Sequence, residues 1–184
     1  EYAANIGDTE QKGLEAEFTV RITEFLQLSL AGALMDAEWA TPTVIFTEDE
    51  QEIVLSGKTP SNVIDNSVSF AASYARPLSM FNGVDMTLDV QWSRQGQGQS
   101  MPPKDPITNP GYDVVNLQLG ITRGAWDFLL SVDNLFDEGY YTDLENFPNL
   151  GSGSAVAGGD GPATIVIGTF GQPRIASASL TYSF

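Results

Sequence analysis

Apolar residues recur at every second position along this chain, the pattern of a strand with one apolar and one polar face. Leu14, Ala16, Phe18, Val20 and Ile22 alternate with Glu15, Glu17, Thr19 and Arg21. Leu26, Leu28, Leu30, Gly32 and Leu34 alternate with Gln27, Ser29, Ala31 and Ala33. Val68, Phe70, Ala72 and Tyr74 form a third set. The cleanest is Val84, Met86, Leu88, Val90 and Trp92 against Asp85, Thr87, Asp89, Gln91 and Ser93. Further sets run from Val115 to Ile121, with Asn116 and Gln118 between, and from Trp126 to Val132, with Asp127 and Ser131 between; the last runs from Ala176 to Phe184. The reading is seven antiparallel strands near residues 9–22, 26–39, 62–76, 83–94, 112–122, 126–135 and 173–184. Leu129 and Ile175 break parity and are expected to pack inward or to follow a bulge.

Alternation does not distinguish the core of a sandwich from a face turned to lipid, but the connections do. Short ones (Thr23 to Phe25, Arg76 to Gly83, Arg123 to Ala125) alternate strictly with long ones from Ala40, from Gln95 to Gly111 and from Leu135 to Gln172. Outer-membrane barrels have short periplasmic turns and long extracellular loops, whereas a soluble domain rarely carries several long structureless loops at one end. With the short turns periplasmic, Phe25, Tyr74, Phe81, Trp126, Tyr182 and Phe184 fall at the inner rim and Trp39, Trp92 and Tyr112 at the outer rim. Two aromatic belts around an aliphatic band suit a bilayer. The expected class is all-β: an antiparallel transmembrane β-barrel. Bacterial single-chain barrels have an even number of strands and must close, because hydrocarbon cannot satisfy backbone polar groups. Seven strands are therefore expected to be a portion of a larger barrel whose other strands, placed before residue 1, cover both open edges.

Composition narrows the function. The chain has 184 residues, 24 acidic against 8 basic side chains, a net charge of −16, and neither His nor Cys. No stretch approaches the roughly 18 apolar residues of a spanning helix. No His- or Cys-based metal site or catalytic triad can be assembled, so no enzyme and no cofactor are expected. The acidic balance argues against nucleic acid as a partner. Residues 1–7 do not read as a signal peptide.

Three segments carry a resemblance. Asn5-Ile6-Gly7-Asp8 followed by Lys12-Gly13-Leu14-Glu15-Ala16-Glu17 is similar to the "N-x-G … K-G-x-E-x-E" strand of TonB-dependent receptors. Val132-Asp133-Asn134-Leu135-Phe136-Asp137-Glu138-Gly139-Tyr140-Tyr141 resembles their penultimate strand with its "N-L-F-D-x-x-Y" exit. Gly171-Gln172-Pro173-Arg174, with a strand ending Tyr182-Ser183-Phe184, resembles their last strand. The resemblance implies the last seven strands of a 22-stranded barrel. It also implies a lumenal plug and a segment contacting TonB, both outside this sequence, and import of a scarce, bulky nutrient from outside: a siderophore, a cobalamin-like cofactor or an oligosaccharide. Tyr182 and Phe184 would belong to the signal read by the membrane-assembly machinery; Ser179 stands where that signal usually has Gly.

The candidate positions follow from the faces. Glu15, Glu17, Arg21, Asp85, Asp89, Gln91, Asn116, Gln118, Asp127 and Asp133 are expected in the lumen, against a plug or along a substrate path. The plainer alternative is a wet polar wall without a specific role. Trp39, Glu48, Asp49, Glu50 and Glu52 are expected at the extracellular loops. That acidic run lacks the spacing of a calcium loop. Gly151-Ser152-Gly153-Ser154 and Gly158-Gly159-Asp160-Gly161 lack the Lys of a phosphate loop and read as external loop. Outer-membrane lipid, the rest of the barrel and its plug, TonB and a small extracellular substrate are the partners so implied. The competing readings are a passive barrel or surface-binding protein and, more remotely, a soluble ligand-binding barrel. A plug upstream separates the first from the transporter; a need for detergent excludes the last.

Overall fold

A computed structural model describes residues 7–41, 44–46, 52–81, 83–99, 107–148 and 164–184. It contains no helix among those residues. One antiparallel sheet has seven strands: β1 (Thr9–Arg21), β2 (Leu26–Trp39), β5 (Asn66–Pro77), β6 (Val84–Gln95), β9 (Tyr112–Arg123), β10 (Trp126–Asp133) and β13 (Ile175–Tyr182). They pair in that order, each with its neighbours along the chain. The three remaining pairs are small hairpins inside the long connections: β3 (Val44–Phe46) with β4 (Glu52–Val54), β7 (Gly98–Gln99) with β8 (Thr108–Asn109), and β11 (Tyr141–Pro148) with β12 (Thr164–Phe170). These connections, read from sequence as structureless, therefore carry paired backbone. Among the described residues β1 and β13 each pair on one side, and not with each other.

The register carries each strand's parity across the sheet. One row reads Leu28, Ala72, Val90, Leu117, Val132, Ala176, and the next Leu26, Tyr74, Leu88, Leu119, Leu130, Ala178. The opposite face reads Arg21, Gln27, Ser73, Asp89, Gln118, Ser131, Ser177. No described residue covers the apolar face: Leu14 is 68%, Phe18 62% and Leu180 64% exposed. Buried hydrophobic side chains among the described residues are Ala37, Leu55 and Val114, none of them on that face. A sheet that left such a face to water would forgo the main driving force of folding.

The short turns show why the sheet reverses where it does. Trp126 pairs with Arg123, leaving the two-residue loop Gly124-Ala125, and Gly124 has φ 58°. Positive φ at the first central position is what a tight hairpin requires. Thr23 caps the first turn, its Oγ1 accepting from Phe25 N at 3.2 Å and Leu26 N at 3.0 Å.

Several strand ends differ from the sequence reading, each for a local reason. Residues 62–64 leave the main ladder because Asn62 is left-handed (φ 63°) and donates to Gln99 O, while Ile64 bridges Gly98. β10 ends before Asn134, which has φ 49°. β13 starts after Arg174, whose N–H is taken by Asp137 Oδ1 at 2.9 Å, and Pro173 has none to offer. No bulge accompanies Leu129 or Ile175: Leu129 lies opposite Gly120 and Ser179, and Ile175 opposite Asp133, in unbroken register. Leu129 sits on the polar face over Gly120, its Cδ1 3.9 Å from where a Cβ there would be, with the Thr87 side chain on the other side of that position.

Gly111 marks a close approach of β9 to β6. A Cβ at this position would lie 2.6 Å from the carbonyl oxygen of Gln95, a backbone atom that cannot turn aside. Gly111→Ala is expected to destabilise the barrel by about 1–3 kcal/mol, the usual range for overpacking. Denaturant titration in detergent measures this, and an unchanged midpoint refutes the close approach.

Candidate functional site

The polar face gathers the candidate residues into three levels. Towards the outer end, Glu15 and Glu17 border a hollow of about 570 Å3, together with Ser67, Ser69, Gln95 and Tyr112. In the middle, Asp89, Gln91, Asn116, Gln118, Ser131 and Asp133 border a second hollow of about 420 Å3. Arg21, Asp85 and Asp127 lie nearer the short turns, outside both. The two hollows show that this face is concave.

Within both hollows the wall carries small side chains. Ala31, Ala33, Ser67, Ser69, Ala71 and Ser73 come from β2 and β5, so β1 and β6 raise their longer acids on either side of a low floor. Hydroxyls pair across strands: Thr19 with Ser29 at 3.1 Å and Ser131 with Ser177 at 2.7 Å. Thr122 Oγ1 donates to Asp127 Oδ1 at 2.7 Å, while Asp85 lies opposite Thr122 on its other side. Arg21 is the one basic side chain among the candidates, and it lies opposite Gln27 rather than an acid. The face is therefore acidic and rich in hydrogen-bonding groups. No three acidic side chains among the described residues converge to hold a metal ion.

At the outer mouth Trp39 ends β2, and its backbone N–H donates to Lys58 O at 3.1 Å. Glu52 opens β4 and is exposed. Glu48, Asp49, Glu50 and the glycine-rich stretch 151–161 lie outside the described residues. On the apolar face, Trp92 Nε1 and Arg94 Nη1 both donate to Asp113, at 3.0 and 3.1 Å, one residue pair above the last aliphatic row. Lys12, Asp36 and Glu38 stand at the same parity beyond Leu14 and Leu34. From Leu14 to Ile22 the apolar run is about 27 Å long, or roughly 21 Å across a membrane at a ~40° tilt. At the other end Trp126 and Tyr182 pack with centroids 4.7 Å apart, and Phe184 stacks on Tyr182 at 6.4 Å.

Sequence reasoning missed the group that joins β10 to β13. Asn134 is 2% exposed, the one buried polar residue among those described. Its Oδ1 accepts from Glu138 N, and its Nδ2 donates to Glu138 O and Gln172 O, each at 2.9 Å. Its own N–H donates to Asn116 Oδ1 at 3.0 Å. Asp137 (φ 57°) holds Arg174 N, and Tyr140 stacks on Tyr112 at 4.1 Å. The signal was present in Asn134-Leu135-Phe136-Asp137: Asn and Asp are the residues that tolerate left-handed backbone and bond locally.

Comparison with known proteins agrees with this geometry. Residues 1–135 match the family model "TonB dependent receptor-like, beta-barrel". No curated protein matches the sequence. The crystal structure of the siderophore receptor PiuA from Acinetobacter baumannii superposes with a TM-score of 0.69 at 14% identity, over 97% of this chain and 22% of that one. The likeness to PiuA is one of fold, and this chain spans about a fifth of its length. The apolar face is thus a lipid face, the sheet is a section of an outer-membrane barrel wall, and the chain belongs to the TonB-dependent receptor-like β-barrel family.

Proposed function

We propose that this chain is the closing section of a TonB-dependent outer-membrane transporter, with the remaining strands, a plug and a TonB-contacting segment supplied by sequence beyond it. The observation that carries this reading is the concave polar face, lined by Glu15, Glu17, Asp89 and Asp133 and left unfilled by the described residues. A face of that acidity suits a plug or cargo presenting donors and positive charge. Closure gives a second support: the free edges of β1 and β13 expose backbone groups that cost several kcal/mol each in hydrocarbon unless other strands cover them. In this reading Glu15 and Glu17 face the plug, and Asp89, Gln91, Asn116, Gln118 and Asp133 line the path below. Arg21, Asp85 and Asp127 lie towards the periplasmic exit. The cargo is a scarce, bulky nutrient; the siderophore bound by the fold neighbour PiuA is one such class, beside cobalamin-like cofactors and oligosaccharides.

The test is uptake in cells producing the complete receptor, with ferric siderophores, cobalamin and maltooligosaccharides offered in turn. Uptake of one of them should vanish when TonB is deleted or the proton gradient is collapsed. Uptake that continues undiminished without TonB would mean a passive barrel instead.

A further inference from the structure

At the outer mouth, the hairpins β7–β8 and β11–β12 meet over a hollow of about 120 Å3. Asn109, at the end of β8, ties them together: its Nδ2 donates to Tyr141 O at 3.2 Å. The oxygen of the same amide, Oδ1, is buried and has no hydrogen-bond partner, the one such side-chain atom among the described residues. A buried acceptor left unmade costs about 1–3 kcal/mol. Turning the amide over would set Oδ1 against the Tyr141 carbonyl, so the orientation follows from its one contact.

The lining defines what could satisfy that oxygen. Asn62, Gln95, Gln99 and Asn109 bring four amides, Asp143 a carboxylate and Tyr112 a phenol, with no Lys or Arg. Tyr112 donates its hydroxyl to Gln95 Oε1 at 2.8 Å and presents a ring already stacked on Tyr140. Amides both give and accept hydrogen bonds, as adjacent hydroxyls do. A carboxylate with no cation beside it repels an anion. The volume is that of about four waters in the liquid, room for the edge of a sugar ring and a few of its hydroxyls.

We propose that this hollow binds the hydroxyl-bearing edge of a neutral sugar or polyol, one of whose hydroxyls donates to Asn109 Oδ1. Because Oδ1 is buried in this structure, a hydroxyl reaches it when the Asn109–Tyr141 bond gives way and β11 shifts. The inference rests on the transporter reading only in that the ligand arrives from outside.

The complete receptor, purified in a detergent without sugar headgroups, is examined by saturation-transfer NMR with sucrose and sorbitol, and with choline and citrate as charged probes. Sucrose or sorbitol should bind, citrate should not, and Asn109→Leu should weaken binding about 5- to 10-fold, the equivalent of one hydrogen bond. Asp143→Asn, which keeps an acceptor, should leave binding within about threefold. Retained heat-dependent gel mobility certifies the fold. Should Asn109→Leu fail to fold, Gln99→Leu makes the comparison, with weaker sucrose binding expected. Failure of both neutral probes to bind overturns the proposal. So does unchanged binding in a folded Asn109→Leu or Gln99→Leu protein, or binding of choline alone that Asp143→Asn abolishes. TonB-dependent uptake without saccharide binding removes this inference and leaves the transporter standing. Saccharide binding with TonB-independent uptake does the reverse.

Discussion

Asn134→Ala should destabilise the folded barrel by about 4 kcal/mol or more, the largest loss expected among the substitutions considered. The side chain satisfies three backbone groups, Glu138 N, Glu138 O and Gln172 O, in a setting where Asn134 itself is 2% exposed. Each such group stranded without a partner costs about 1–3 kcal/mol. Alanine would also be held at φ 49°, which disfavours an L residue with a Cβ by about 1–2 kcal/mol. Asn134→Gly separates the two contributions, since it loses the same bonds without the backbone penalty. Its stability should therefore fall between those of the native chain and Asn134→Ala. Urea titration of the refolded complete receptor in lipid gives the ranking. A loss below about 1 kcal/mol for Asn134→Ala would show that water reaches these groups. The consequence extends past stability: Gln172 is 38 residues away in sequence, so the same side chain anchors both ends of the connection that carries β11 and β12.

Leu88→Arg should cost about 2–4 kcal/mol, the range for a cation on the lipid face near the bilayer midplane. Leu88 is the middle residue of the outward set Val84, Met86, Leu88, Val90, Trp92, and its row runs from Tyr74 through Leu119 and Leu130. Arg94, farther out on the same face, ends the apolar run and bonds Asp113, so a guanidinium is tolerated there and not six residues earlier. Asp89→Asn is the control. Its side chain faces the hollow lined by Gln91 and Gln118, where an amide replaces a carboxylate with little penalty. The loss should stay under about 0.5 kcal/mol, as for a solvated surface position. Refolding into bilayers of defined composition, followed by denaturant titration, measures both. Equal sensitivity of the two neighbours would contradict the facing of β6.

The seven principal strands were legible because lipid imposes a strict local rule. Every second residue from Leu14 to Ile22, and again from Val84 to Trp92, must be apolar whatever lies beside it. The hairpins in the long connections were not legible, because their residues follow no alternation. Ile165-Val166-Ile167 in β12 is a continuous apolar run, and β7 and β8 are two residues each. Leu129 breaks the parity of its strand, and only the register shows that it lies opposite Gly120, which presents no side chain against it.

The sequence by itself determined the class of the fold, the two faces of each strand and which acids share the polar face, since these depend on periodicity within a strand and on loop length. Tertiary structure decided what depends on residues far apart along the chain. Glu15 and Glu17 gather about a different hollow from Asp89 and Asp133, because cross-strand register sets their height. Asn134 meets Gln172, and Asn109 meets Tyr141 while its oxygen goes unpaired, because folding brings separate connections together at the outer mouth. Alternation encodes a residue's side of the sheet; hydrogen bonds between distant loops require positions that only the folded sheet supplies.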